Sequence, residues 1–213
     1  MNIVIFGQTG TGKSTFARKL VKYLIEDKRL VVISENIQDI ERLADELEFD
    51  ISLVEVSDKN IYQLDFRKLI EQNKYIAFEF EHVIDEELVY ALDQIASTIY
   101  ELKDILLYID EAHIFFPKFR CSTELERLIR AGRKNAIINI LVTQQLRDLR
   151  DVALKQAHYM VVFKLSEHNE IEKIKYYFDV DLLKNLGEYE CVIYNKVTGE
   201  AEISKSDIID LMV

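Results

Sequence analysis

The 213 residues are 49% hydrophobic and 31% charged, a balance that suits one globular α/β domain with a substantial core. No apolar run nears the roughly 20 residues of a membrane-spanning helix, and no basic stretch precedes the first apolar run as in a secretory leader. Cys121 and Cys191 lack metal-type spacing, so buried thiols in a reducing, cytoplasmic setting are expected. In chain order, NIVIF (2–6) reads as a buried strand and the stretch from Ser14 to Glu26 as a helix. LVVIS (30–34), ISLVEV (51–56), YIAFEF (75–80), ILLYID (105–110), AIINILVTQ (136–144) and YMVVFKL (159–165) follow as strands. Helical patterns at 37–48, 85–103 and 169–178 fall between them. Such alternation predicts an α/β fold, a mostly parallel sheet with helices on both faces. The tail differs: 189–203 reads as an antiparallel hairpin around Thr198-Gly199, and SDIIDLMV (206–213) as a short helix. The organisation expected is a single domain over 1–213, with a core at 1–178 and the hairpin and helix at 187–213.

GQTGTGKST joins the first strand to the first helix, and three of the six glycines fall inside it. Gly7, Gln8, Thr9, Gly10, Thr11, Gly12, Lys13, Ser14 and Thr15 fit the pattern G-x-x-x-x-G-K-[ST] in the strand–loop–helix setting that a phosphate-binding P-loop requires. Glycines let backbone N–H groups turn inward around an anion, and the helix N-terminus adds its positive dipole end. The spacing predicts nucleoside triphosphate binding, with Lys13 on the β- and γ-phosphates, Ser14 as a hydroxyl ligand of Mg²⁺ and Thr15 near the α-phosphate.

ILLYIDEAH (105–113) is an apolar strand ending in two carboxylates. That places them at the C-terminal edge of the sheet, where open α/β folds bind ligands. Asp110 suits a metal-holding Walker B acid, and Glu111 suits a base that polarises the attacking water. Lys13 and Asp110 are 97 positions apart, which allows a further strand between the P-loop strand and the acid strand. ILVTQQ ends in polar residues, and the Gln144 amide is positioned to sense the γ-phosphate or the water. Before it, LIRAGRKN (128–135) reads as a helix broken at Gly132, turning Arg133 and Lys134 outward near the catalytic edge. Arg133 is then either a surface charge or, in a ring, an arginine finger for the neighbouring site.

The net charge of −11 argues against a generally basic nucleic-acid coat. Residues 118–155 run the other way, with nine Lys or Arg against four Asp or Glu, and six of the ten arginines lie between 120 and 150. Concentrated beside the expected site, they suggest contact with a polyanion.

In this order, GQTGTGKST, ILLYIDEAH and GRKNAIINILVTQQLRDL resemble the FtsK/HerA superfamily of DNA-pumping ATPases. The matching residues are Asp110-Glu111, Gly132-Arg133-Lys134, Thr143-Gln144 and Asp148-Leu149, within a core from 1 to about 178. The resemblance implies a RecA-like sheet, an oligomeric ring (usually a hexamer), Gln144 as sensor, Arg133 as trans finger, and ATP with Mg²⁺. TQQLRDL lacks the proline of the frequent TQRPSDL. With the P-loop at residue 7, an N-terminal barrel like that of HerA helicases is not expected. The remainder is similar to the minimal genome-packaging ATPases of tailless icosahedral viruses with internal membranes. That likeness implies double-stranded DNA as substrate, a capsid or membrane protein as partner, and work in the host cytoplasm or at the assembling virion. Four other readings compete. The letters DEAH suggest a helicase, but that would need a second RecA-like domain. A nucleotide kinase leaves Glu111 and Gln144 without a role. A regulatory ATPase acting on a protein partner, or a HerA-like DNA-processing enzyme, shares the P-loop; the regulator gives the arginine-rich segment nothing to do.

Overall fold

The computed structural model describes residues 1–165 and 167–205. The expected helix at 206–213 lies outside them. Nine strands form one sheet: β1 (Asn2–Phe6), β2 (Arg29–Ser34), β3 (Ser52–Val56), β4 (Tyr75–Phe80), β5 (Ile105–Ile109), β6 (Ile138–Thr143), β7 (Tyr159–Phe163), β8 (Glu190–Asn195) and β9 (Glu200–Lys205). Their order across the sheet is β3-β4-β2-β5-β6-β1-β7-β8-β9. Strands β1 to β7 are parallel, while β8 and β9 pair antiparallel. As the spacing allows, β6 separates the P-loop strand from the acid strand: Ile140 lies opposite Ile3 on one side and Tyr108 on the other.

The helices are α1 (Lys13–Leu24), α2 (Ile37–Leu47), α3 (Phe66–Gln72), α4 (Asp85–Leu102), α5 (Ala112–Phe115), α6 (Thr123–Ala131), α7 (Asp151–Gln156) and α8 (His168–Ile174). They explain why the inner strands are largely apolar rather than alternating, because both faces of a parallel sheet are covered. All five residues of β1 and of β5 are buried. Successive side chains point to opposite faces. Val4 and Phe6 therefore join a core with Ile95 of α4, Leu128 of α6, Val152 of α7 and Ile174 of α8. Ile3 and Ile5 join a second core with Phe16 and Leu20 of α1 and Leu43 of α2. Strand β3, at the sheet margin, is mostly exposed.

Two local differences stand out. Helix α8 ends at Ile174 rather than 178, and a turn carries the chain on. Helices α3, α5 and α7, of seven, four and six residues, are too short for a helical period to stand out. As expected, α6 stops at Ala131, just before Gly132. Gly132 keeps a right-handed conformation (φ −60°, ψ −25°), and the chain continues as a 3-10 turn over Gly132–Asn135. The left-handed residue is Ala136 (φ 58°). A Cβ at Gly132 would lie 3.4 Å from Ile137 Cβ, an ordinary contact distance. Arg133 and Lys134 are exposed, as expected.

Candidate nucleotide site

The loop between β1 and α1 rises at the C-terminal edge of the sheet. Gly7 (φ 152°) passes so close to β7 that a Cβ would lie 2.5 Å from Phe163 Cβ, and only glycine fits there. Gln8 N–H donates to Lys164 O at 3.1 Å, which ties the loop to the end of β7. Gly12 is left-handed (φ 101°) just before α1, and no side chain caps that helix. Its first N–H groups are thus available to an anion. Lys13 Nζ and Thr11 Oγ1 both donate to Gln8 O, each at 2.7 Å. Burial lowers the pKa of Lys13 against the opposing pull of Glu111, Asp110 and Glu170.

A cleft of about 270 Å³ opens over this loop. Thr9, Gly10, Gly12, Lys13, Ser14 and Thr15 line it, and Asp110, Glu111 and Gln144 face them. Gly7 and Gln8 shape the loop from behind. Four lining residues carry no role in the sequence reading: Arg18, Arg42, Val142 and Tyr189. Arg18 was accessible in principle, being one helical turn past Thr15, and its Nη2 sits 3.4 Å from Thr15 Oγ1. Arg42 and Tyr189 come from distant segments and only the fold brings them in.

Asp110 follows β5 and is buried. Burial, then the charges of Asp39 and Glu111, raise its pKa to about 7. A buried carboxylate so short of compensating charge fits a divalent cation. Among the described residues no three His, Cys, Asp or Glu side chains converge on a protein-only metal centre. Ser14 and Asp110 can therefore hold Mg²⁺ only together with phosphate oxygens and water, the usual habit of that ion.

Glu111 takes a left-handed backbone (φ 43°), and its N–H donates to Asp110 Oδ1 at 3.1 Å. Its carboxylate accepts from the Gln144 side-chain amide, from Gln144 N–H at 3.3 Å, and lies 3.3 Å from His113 Nδ1. Burial pushes its pKa up, but His113 and then Gln144 outweigh that and hold it below the ordinary value. Gln144 Oε1 in turn accepts from Thr9 Oγ1, and His113 Nδ1 is 3.0 Å from Thr143 Oγ1. A polar chain thus runs from the P-loop through Gln144 to Glu111 and His113. The role of His113 was not foreseen from its place in the DEAH letters.

The segment after Gln144 is pinned. Leu146 N–H donates to Glu170 Oε1 at 3.0 Å, and Lys173 Nζ donates to Leu146 O and Leu149 O at 2.9 and 3.0 Å. Much of the basic charge nearby is already partnered: Arg127 with Glu124, Arg130 and Arg150 both with Glu126, and Arg147 with Asp148. Arg133 departs from its expected place. It precedes β6, at the sheet edge opposite the cleft, with Nη1 3.4 Å from His158 Nε2. The six residues of β6 lie between it and the level of Gln144, roughly 20 Å at strand rise.

A P-loop between β1 and α1, acids ending β5, and Gln144 following an interposed β6 define a P-loop NTPase with a RecA-like sheet. Residues 1–153 match the family described as AAA domain; the chain belongs to it and is a P-loop ATPase. Three solved structures share the fold. The genome packaging NTPase B204 from Sulfolobus turreted icosahedral virus 2, in complex with ATP-gammaS, is 18% identical over 95% of both chains, with a TM-score of 0.70. B204, the DNA-packaging ATPase from Sulfolobus Turreted Icosahedral Virus, is 21% identical over 95% of this chain and 96% of its own, with a TM-score of 0.69. VirB4 of Thermoanaerobacter pseudethanolicus is 12% identical over 96% of this chain and 88% of its own, with a TM-score of 0.69. At the level of fold these neighbours bear out the resemblance drawn from the motifs. No curated protein matches the sequence. Among the described residues no helix is long and apolar enough to cross a membrane.

Proposed function

We propose that this chain is the ATPase of a ring motor that moves double-stranded DNA, with packaging of a viral genome as its most specific form. The observation that carries the reading is likeness of fold over at least 95% of both chains to two packaging ATPases. In this reading Lys13 and the P-loop backbone hold the triphosphate. Ser14 and Asp110 would hold Mg²⁺, which would supply counter-charge to the phosphates. Glu111 accepts a proton from the water that attacks the γ-phosphorus, and the bond to the β–γ bridging oxygen breaks to leave ADP and phosphate. The Gln144 amide, between Thr9 and Glu111, reports the γ-phosphate to the segment held by α8. Arg133 is too far from its own P-loop to act there. In this reading it serves a neighbouring protomer in a ring, for which a hexamer is the expected size.

ATPase rate measured with and without double-stranded DNA, across protein concentration, tests this reading. Rate per protomer should rise with both DNA and concentration. A rate indifferent to DNA would favour a regulatory ATPase acting on a protein partner.

A further inference from the structure

The triphosphate reading leaves the nucleobase without a seat. We infer that Tyr189 is the platform on which the base stacks, which makes the turn at 186–190 the base subsite of the ATP site proposed above. The sheet order supplies the first argument. Asp110 and Glu111 follow β5, two strands to one side of β1, whereas Tyr189 precedes β8, two strands to the other side. At strand spacing that is about 10 Å in each direction. Because β8 runs antiparallel to β7, its start lies at the cleft edge of the sheet: Cys191 pairs with Phe163, the residue against which Gly7 packs. A triphosphate with its γ end at Glu111 therefore points its α end toward Tyr189.

The side chain itself supplies the second. Tyr189 lines the cleft with Ser14 and Thr15, and also a hollow of about 180 Å³ shared with Gly10, Thr11 and Glu188. It is 51% exposed, and no ring among the described residues stacks on it. Tyr62 and Tyr176 are more exposed, yet neither lines the cleft. A surface tyrosine needs no special backbone, whereas Tyr189 is left-handed (φ 60°), a conformation that is strained for a bulky residue. Its turn is fastened by Gly187 N–H donating to Glu190 Oε2 at 2.8 Å. The fold thus holds an open aromatic face at the far end of the phosphate cradle from the catalytic acids.

The test compares binding of ATP, GTP and inorganic tripolyphosphate, each with Mg²⁺, to wild type and to Tyr189→Phe, Tyr189→Leu and Tyr189→Ala. Loss of stacking on one base should weaken ATP and GTP about tenfold in the Leu and Ala variants. Tripolyphosphate should bind all four proteins equally, and Phe should restore nucleotide affinity. Unchanged ATP affinity in Tyr189→Ala would overturn the assignment. Equal weakening of ATP and tripolyphosphate would also overturn it, since the turn would then serve only the P-loop's shape. Lys13→Ala separates the two levels of the argument, because it should abolish binding of all three ligands. If wild type bound none of them, the triphosphate site itself would fall, and this inference with it.

Discussion

At the scale of single residues, the cleft divides labour between two groups whose loss should read differently. Lys13 is buried under the loop with its ammonium on Gln8 O. Lys13→Ala should abolish tight ATP binding, because the phosphates lose their fixed counter-charge. Glu111→Gln keeps shape and size but cannot take a proton. It should bind ATP normally and turn over roughly 10²- to 10⁴-fold more slowly. Equilibrium binding beside steady-state turnover checks both, and equal loss of affinity in the two variants would remove the base role from Glu111. The P-loop was legible because its requirement is local: glycines, a lysine and hydroxyls within nine residues. Tyr189 and Arg42 were not, since their place in the cleft depends on which strand neighbours which.

At the scale of elements, the arginine-rich stretch changes meaning once folded. In sequence it is a run of positive charge. In the structure Arg130 and Arg150 share Glu126, and Arg150 also donates to Lys118 O at 3.0 Å. The Arg130 pair lies within α6, and the Arg150 guanidinium fastens that helix to the segments beside it. Lys118 and Lys155 flank the same hollow, of about 290 Å³. Neither forms an ion pair among the described residues. If DNA passes this face, the double variant Lys118→Gln with Lys155→Gln should flatten the salt dependence of DNA binding. The slope should fall by about one unit per lost phosphate contact. Arg130→Gln should leave that slope unchanged. Titrations between 50 and 200 mM salt, a range taken from general practice, measure both, and identical slopes for wild type and the double variant would place the DNA track elsewhere. Strands were readable as apolar runs of five to nine residues. The short helices and the ion pairs between elements were not, because they follow from packing rather than from periodicity.

For the whole molecule, the two edges of the sheet serve different ends. At the edge away from the cleft, the buried Asn2 side chain donates to Ile129 O and Gln156 O and accepts from Asn139. His158 Nδ1 accepts from Asn2 N–H at 3.0 Å. Burial, and then nearby positive charges that include Arg133 and Lys196, hold the His158 pKa below its ordinary 6.5. The unfolded chain therefore takes this proton more readily, and its contribution to stability falls as pH drops through 6.5. Asp110 works in the opposite sense. With its folded pKa raised to about 7, its contribution is greatest in acid and is lost as pH rises through that value. His158→Asn should isolate the histidine's contribution, so melting curves should show this variant losing less stability than wild type between about pH 7 and 5. A parallel pair of curves would dismiss it. Arg133 belongs to this scale too, since its proposed role exists only between copies. Arg133→Ala and Lys13→Ala should each be inactive, and mixing them should restore part of the ATPase rate by pairing an intact P-loop with an intact finger. Mixed rings that form and stay inactive would end that role. The sheet order also bears on how the chain reaches its fold. Strand β1 carries the P-loop, yet its two neighbours, β6 and β7, lie far downstream, with Ile3 facing Ile140 and Tyr159. Contacts so distant along the chain close slowly. The phosphate cradle therefore cannot take shape until residues near Phe163 are in place, and in refolding the capacity to bind ATP should return with the last structural phase, never ahead of it.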